Sequence, residues 1–200
     1  MKELLKEKIA AGIGYDQFRA ELEQFVEAGK TSGPNQSEAL SQHTKMNFQR
    51  LKKWEKITRI SEGTNKSLTA KKSNTTWLMI GEAWCGDVGQ NIVPINEMAK
   101  LAGAELKFVY RDENLDLMDH FLTNGGRSIP KVIIVDDDSM EVIAEWGPRP
   151  QEIQNWFLSE KSKLEFDKSS VMEKVHLWYA KNKHEAIQKE FIEMTTSIPA

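Results

Sequence analysis

The sequence predicts an α/β fold: a mixed four-stranded sheet flanked by helices, with a helical region added before it and a helix after it. Three observations carry this. Between residues 75 and 160, short β-branched or apolar runs alternate with helical segments, the pattern of strands and helices packed in layers. The last two of these runs are joined only by the acidic turn Asp136-Asp137-Asp138-Ser139, a link too short for anything but an antiparallel hairpin. The charge also changes sign: residues 1–73 carry 14 Lys and Arg against 9 Asp and Glu, and residues 74–200 carry 13 against 21. The expected organisation is therefore a helical extension over 1–73, a sheet domain over 74–162, and a C-terminal helix within 163–200 packed on or beside the core.

The N-terminal region reads as helices. Lys2 to Ala11 is rich in helix formers and is interrupted by Gly12 and Gly14. Asp16 is placed to cap a second helix, in which Phe18, Leu22, Phe25 and Val26 recur at helical spacing. Gly29 and Thr31-Ser32-Gly33-Pro34 stop it. A third helix starts near Asn35 or Ser37 and runs to about Ile60, with Leu40, Thr44, Phe48, Leu51, Trp54 and Ile57 on one face. Lys45, Arg50, Lys52, Lys53, Lys56 and Arg59 make the remainder basic, read as a solvated face in preference to a surface for an acidic partner. Ser61–Asn74, polar with a glycine and several lysines, reads as a linker.

Thr75–Ile80 then reads as a buried strand and Val88–Leu101 as a helix ending at Gly103, with Pro94 expected to kink or break it. Glu105–Tyr110 is the next strand, with Leu106, Phe108 and Tyr110 on one face. Asn114–Leu122 is a short helix closed by Asn124-Gly125-Gly126. The hairpin pairs Lys131–Val135 with Glu141–Trp146. Gly147-Pro148-Arg149-Pro150 breaks the chain before a helix from Gln151. From about Ser169 one last helix carries Leu177, Ala180, His184, Ile187 and Phe191 on a stripe, where His184 reads as a core or boundary residue rather than a ligand.

Composition bounds the function. An apolar fraction of 40% and six tryptophans suffice for a substantial core. A net charge of −3 argues against a dedicated nucleic-acid binder. No apolar run approaches the roughly 20 residues needed to span a bilayer, so no membrane partner is expected. The start, Met1-Lys2-Glu3-Leu4-Leu5-Lys6-Glu7, lacks the apolar stretch of a secretory signal, and a cytoplasmic location is expected. His43, His120, His176 and His184 are scattered and have no cysteine at metal spacing, so no metal site is expected. The sequence does not set the oligomeric state.

The one cysteine, Cys85, sits in Trp84-Cys85-Gly86-Asp87-Val88, between the first long strand and its helix. A helix N-terminus favours thiolate over thiol, which points to sulfur chemistry. The alternative is a small buried residue filling a turn. A second landmark, Ser128-Ile129-Pro130, comes just before the hairpin, and Gly147 just after it. In this element order the three resemble the thioredoxin family over about residues 75–160. The whole chain is most similar to bacterial single-domain members of unassigned role with a helical N-terminal extension.

The resemblance implies a thioredoxin-like fold, Cys85 as nucleophile, Trp84 shielding its sulfur, and Gly86 to Val88 stabilising its thiolate. It also implies a cis Ile129–Pro130 bond facing the cysteine and offering the Ile129 backbone to an extended substrate. Two departures narrow the chemistry. Val88 stands where the family's second cysteine would be, and Met79 stands where many members carry a buried acid. Both absent groups serve intramolecular resolution of a mixed disulfide, so a two-cysteine cycle is not expected. What remains is monothiol, glutaredoxin-like exchange on disulfides or mixed disulfides of proteins or small thiols. It needs no bound cofactor and takes an external low-molecular-weight thiol as co-substrate. The alternative is a redox-inactive thioredoxin-fold module that binds a protein partner. Asp87 works against reactivity, because a carboxylate two residues from the sulfur raises the thiol pKa. Arg127 and Lys131 are candidates to offset that charge or to grip an anionic thiol, against the plainer reading of two solvated cations. Asp87 is otherwise a polar contact for a partner. Gly147, with the rest of Trp146 to Pro150, is a candidate substrate rim.

Overall fold

The computed structural model describes residues 1–70 and 74–196. In chain order, α1 (Lys2–Ala11), β1 (Ile13–Gly14), α2 (Tyr15–Glu27), α3 (Glu38–Ile57) and α4 (Glu62–Ala70) form the N-terminal region. The central part comprises β2 (Thr75–Gly81), α5 (Gly86–Ala102), β3 (Glu105–Tyr110), α6 (Leu115–Met118), β4 (Lys131–Asp136) and β5 (Val142–Trp146). The chain then enters α7 (Gln151–Lys161), α8 (Lys168–Asn182) and α9 (Glu185–Thr196).

The sheet order is β1-β3-β2-β4-β5. β2 and β3 run parallel and every other pair antiparallel. The central strand β2 is buried along its whole length, which is why it reads as an unbroken apolar run rather than an alternating one. The predicted hairpin is β4–β5. The sheet has five strands, not four, because Ile13 and Gly14 pair with Phe108 and Lys107 at the edge of β3. Two residues cannot declare a strand by pattern, so the glycines there read only as a helix break.

Three further expectations are corrected. The segment read as a linker contains α4, whose start is fixed by the Ser61 hydroxyl accepting from the Thr64 N–H at 3.1 Å. Leu68 of α4 is buried in the main core; residues 71–73 of that segment lie outside the described residues. The helix read as Asn114–Leu122 is confined to α6, preceded by a single 3-10 turn at Arg111–Glu113. The long C-terminal helix is two, because Lys183 and His184 both take left-handed backbone. The break re-aims the stripe: His184, Ile187 and Phe191 are buried while Leu177 is exposed. On α3, Ile57 likewise projects to solvent although Thr44, Phe48, Leu51 and Trp54 are buried.

Pro94 does not end the helix; α5 runs through it for 17 residues. Proline cannot donate to the carbonyl four residues back, here that of Gln90. The His184 Nε2 lies 3.0 Å from that oxygen and supplies the missing donor. One continuous core joins Leu5, Phe18 and Leu51 of the N-terminal helices to the sheet and to Ile187 and Phe191 of α9. Among the described residues no helix is long and apolar enough to cross a membrane.

Candidate functional site around Cys85

Cys85 is the residue immediately before α5. Its thiol donates to the Ile129 carbonyl at 3.5 Å, and the Ile129–Pro130 bond is cis. Gly147 closes the same corner. Its φ is +120°, and a Cβ there would lie 2.2 Å from the Pro130 carbonyl oxygen, so no side chain fits. Trp84, Gly86 and Ile129 line the cleft beside the sulfur, whereas Val88 is buried beneath it. At the position of the acid that the resemblance looked for, Met79 is buried within β2.

The expectation that the helix start would favour the thiolate does not hold. Burial pushes the Cys85 thiol up to about 12, and the Asp87 carboxylate pushes the same way. The N–H groups of Val88 and Asp87 oppose this but do not win. At a residue only 7% exposed, the cost of placing charge away from water outweighs two backbone donors.

Asp87 is itself enclosed. Its carboxylate accepts from Arg149 Nε at 3.0 Å and Nη2 at 2.7 Å, and from the Tyr179 hydroxyl at 3.1 Å. Burial pulls the Asp87 carboxyl above its ordinary range, against the opposing Arg149 charge. Asn91 Nδ2 bonds both the Asp87 carbonyl, at 2.8 Å, and the Tyr179 oxygen, at 2.9 Å, tying this network to α5. The two cations proposed for this role are engaged elsewhere. Arg127 lines the cleft but forms a two-pronged pair with Asp119, at 2.6 and 2.8 Å. Lys131 is buried within β4 and pairs with Glu145 at 3.5 Å. Arg149, seen in sequence only as part of a rigid loop, is the residue that meets Asp87.

The N-terminal region also builds the site. Both backbone groups of Ala83, two residues before the cysteine, are held by side chains from it. The Ser32 hydroxyl accepts from the Ala83 N–H at 2.8 Å, and Asn47 Nδ2 donates to the Ala83 carbonyl at 2.9 Å. Ser32 donates in turn to the buried Glu82 carboxylate, which also accepts from the Asp112 N–H at 2.8 Å. Burial raises the Glu82 carboxyl, and those two hydrogen bonds oppose the rise. At Gly89 a Cβ would come 3.0 Å from Asn47 Oδ1, so the missing side chain lets α3 lie close on α5.

From the other side α8 contributes His176. Trp54 Nε1 donates to Gln90 Oε1 at 2.8 Å, which fixes that amide; Gln90 Nε2, 3.2 Å from His176 Nδ1, is then the donor there. The imidazole therefore carries its proton on Nε2. Burial, with the Arg50 and Arg149 charges, lowers its pKa to about 4, so it is neutral at pH 7.

The result is a cleft of about 580 Å³ over Cys85. One wall is α3, with Arg50 and His43; another is α7, α8 and the turn between them, with Phe157, Phe166 and Lys168. Arg111, stacked 5.1 Å over the Trp84 ring, stands on a third side. Its charged lining is cationic apart from Asp87, on a chain whose net charge is −3. None of the residues from Ser32, Asn47, Arg50, His176 or Tyr179 could be assigned to the site by sequence, because each reaches it from an element remote in the chain.

Comparison with known proteins follows this geometry. A family model described as thioredoxin matches residues 33–191, so the likeness takes in α3 and α8 as well as the sheet. No curated protein matches the chain. Among solved structures, a protein of unknown function from Pseudomonas aeruginosa is similar with a TM-score of 0.63 at 15% identity, over 94% of this chain and 95% of that one. An HIV epitope-scaffold is similar with a TM-score of 0.61 at 17% identity, over 97% and 98%. At these identities the likeness is one of fold.

Proposed function

This chain belongs to the thioredoxin family, and on that footing we propose that it carries out thiol–disulfide exchange with a single cysteine. The supporting observation is the placement of Cys85: its sulfur lies against the Ile129 carbonyl at the inner end of a walled, cation-lined cleft. Val88 occupies the place of a resolving cysteine, so resolution falls to an external thiol.

The proposed cycle has two steps. The Cys85 sulfur, on losing its proton, attacks one sulfur of a disulfide R–S–S–R′. A Cys85–S bond forms, the S–S bond breaks, and the leaving sulfur takes the electron pair and a proton to give R′–SH. A low-molecular-weight thiol R″–SH then attacks the mixed disulfide, restores Cys85–SH and leaves as R–S–S–R″. The reducing equivalents come from that thiol, drawn from a cytoplasmic pool.

A raised thiol sets the pace. At pH 7 a thiol titrating near 12 has far less thiolate than one near ~8.5, and its greater intrinsic nucleophilicity recovers only part of the loss. The resting site should therefore react more slowly than an unperturbed cysteine. The same fact favours a second reading, in which the cleft binds a partner and Cys85 does not turn over.

Mass spectrometry separates the two. Reduced protein treated with a glutathionylated model peptide should gain an adduct at Cys85 that free glutathione removes, and Cys85→Ser should gain none. Absence of adduct after hours at pH 8, with ligand binding unchanged in Cys85→Ser, would establish the binding module instead.

A further inference from the structure

Arg50 stands out among the charged groups of the cleft. It is half-buried, and its Nη1 donates to the neutral Asn47 Oδ1 at 2.7 Å. Among the described residues it has no carboxylate at ion-pair distance. Burial lowers its pKa, and the Asp87 charge only partly restores it. A desolvated guanidinium facing a cleft without its own carboxylate is held at a cost that an anion would remove.

His176 faces the same place. A Cβ on Gly86 would stand 3.1 Å from His176 Cε1 and 3.5 Å from both His176 Nε2 and Arg50 Nη1, so a side chain there would crowd both groups. The absent side chain thus lets a cation and a neutral N–H line the cleft together at the first residue of α5, beside Cys85. Two exposed cations, Lys161 at the end of α7 and Lys168 at the start of α8, stand across from Arg50 on the wall that also carries His176, likewise without carboxylate partners among the described residues.

We infer that the cleft selects small disulfides and thiols bearing two or more carboxylates, one held by Arg50 and His176 above Gly86 and another by Lys161 and Lys168. The assignment rests on the exchange reading for its chemistry, but the recognition stands on its own residues. The size of the cleft supports a small ligand: about 580 Å³ lies inside the ~300–1,000 Å³ range of small-molecule sites. An arginine fork suits a carboxylate, which it can meet with two parallel N–H donors.

The test uses the Cys85→Ser protein and S-methylglutathione, a dicarboxylate with no exchangeable sulfur, by titration calorimetry. Binding is expected, weakening by about tenfold or more in Arg50→Gln and as NaCl is raised. Arg50→Lys should recover part of it, and the double variant Lys161→Gln/Lys168→Gln, at exposed positions, should weaken it without affecting the fold. The dimethyl ester of the same compound should not bind. Absence of binding, equal binding of the ester, or affinity unchanged in both Gln variants would overturn the inference. So would binding of a longer acidic peptide in its place. Because no sulfur is exchanged, failure here leaves the exchange reading standing, and failure of exchange leaves this one standing.

Discussion

Asp87 does two opposing things within one turn of helix. Its charge disfavours the Cys85 thiolate, and its pairing with Arg149 and Tyr179 locks the loop that carries that cysteine. Replacing it with Asn separates the two effects. Asp87→Asn removes the carboxylate and leaves the Arg149 cation facing the sulfur, so the thiol pKa should fall and alkylation at pH 8 should speed up. Stability should fall by about 3–5 kcal/mol, because one half of a buried ion pair is left behind. An alkylation time course and a urea melt on the same variant read both effects; unchanged alkylation would remove Asp87 from the account. The sign of the Asp87 effect was legible in the sequence, since it needs only a carboxylate near a thiol. Its partner was not. Arg127 and Lys131 flank the proline in the chain, but one turns out to Asp119 and the other is buried against Glu145. Adjacency in sequence says which residues are near the proline and nothing about where long side chains end.

At the scale of elements, a defect in one helix is repaired by the junction of two others. Pro94 leaves the Gln90 carbonyl without its intrahelical donor, and the α8–α9 break places His184 to supply one. The ring packs against Trp54 at a tilt of 52° with centroids 4.1 Å apart, and Nδ1 lies 3.3 Å from the Thr58 hydroxyl, which donates to it. Burial lowers the His184 pKa to about 4, well below the ~6.5 of an unfolded histidine. The native ring is neutral, and the unfolded chain takes up the proton first as pH falls. The stabilisation from this ring is therefore complete above about pH 6.5 and is lost as pH drops towards 4. His176 acts in the same direction, whereas the raised carboxyls of Glu82, Asp87 and Glu190 act in the opposite one. The clean readout is the difference between wild type and His184→Gln, which should shrink between pH 7 and pH 4.5; a difference that stays constant would contradict a neutral buried ring. His184→Leu should cost about 1–3 kcal/mol for the orphaned carbonyl alone. The periodicity of Ile187 and Phe191 announced a packed helix, but not the turn before it, since nothing in Lys183-His184 marks a left-handed pair as an Asn-Gly would. In the same way Ser61 followed by Glu62 was an available helix start, masked by Gly63 and the lysines around it.

The molecule as a whole explains why this cysteine is not the open thiolate that its motif suggests. The succession of strands and helices from Thr75 onward and the hairpin were readable because each depends on local pattern; the cis-proline corner came only from the family resemblance, and the family match over 33–191 agrees with that resemblance. The burial of Cys85 depends on long-range packing. α3 holds Ala83 from one side through Asn47, α8 seals Asp87 from the other through Tyr179, and both flanking regions share the sheet domain or its neighbouring clusters as their core. The thiol pKa is thus a property of the assembled chain, and unfolding should return it to the ordinary ~8.5. The most direct test is the rate of Cys85 alkylation by iodoacetamide against pH, in native protein and in urea. In the native protein the rate should climb tenfold per pH unit through pH 9 with no plateau, in keeping with a thiol near 12, while the unfolded chain levels off near pH 9. A native profile that saturates with a midpoint near pH 7 would contradict the account.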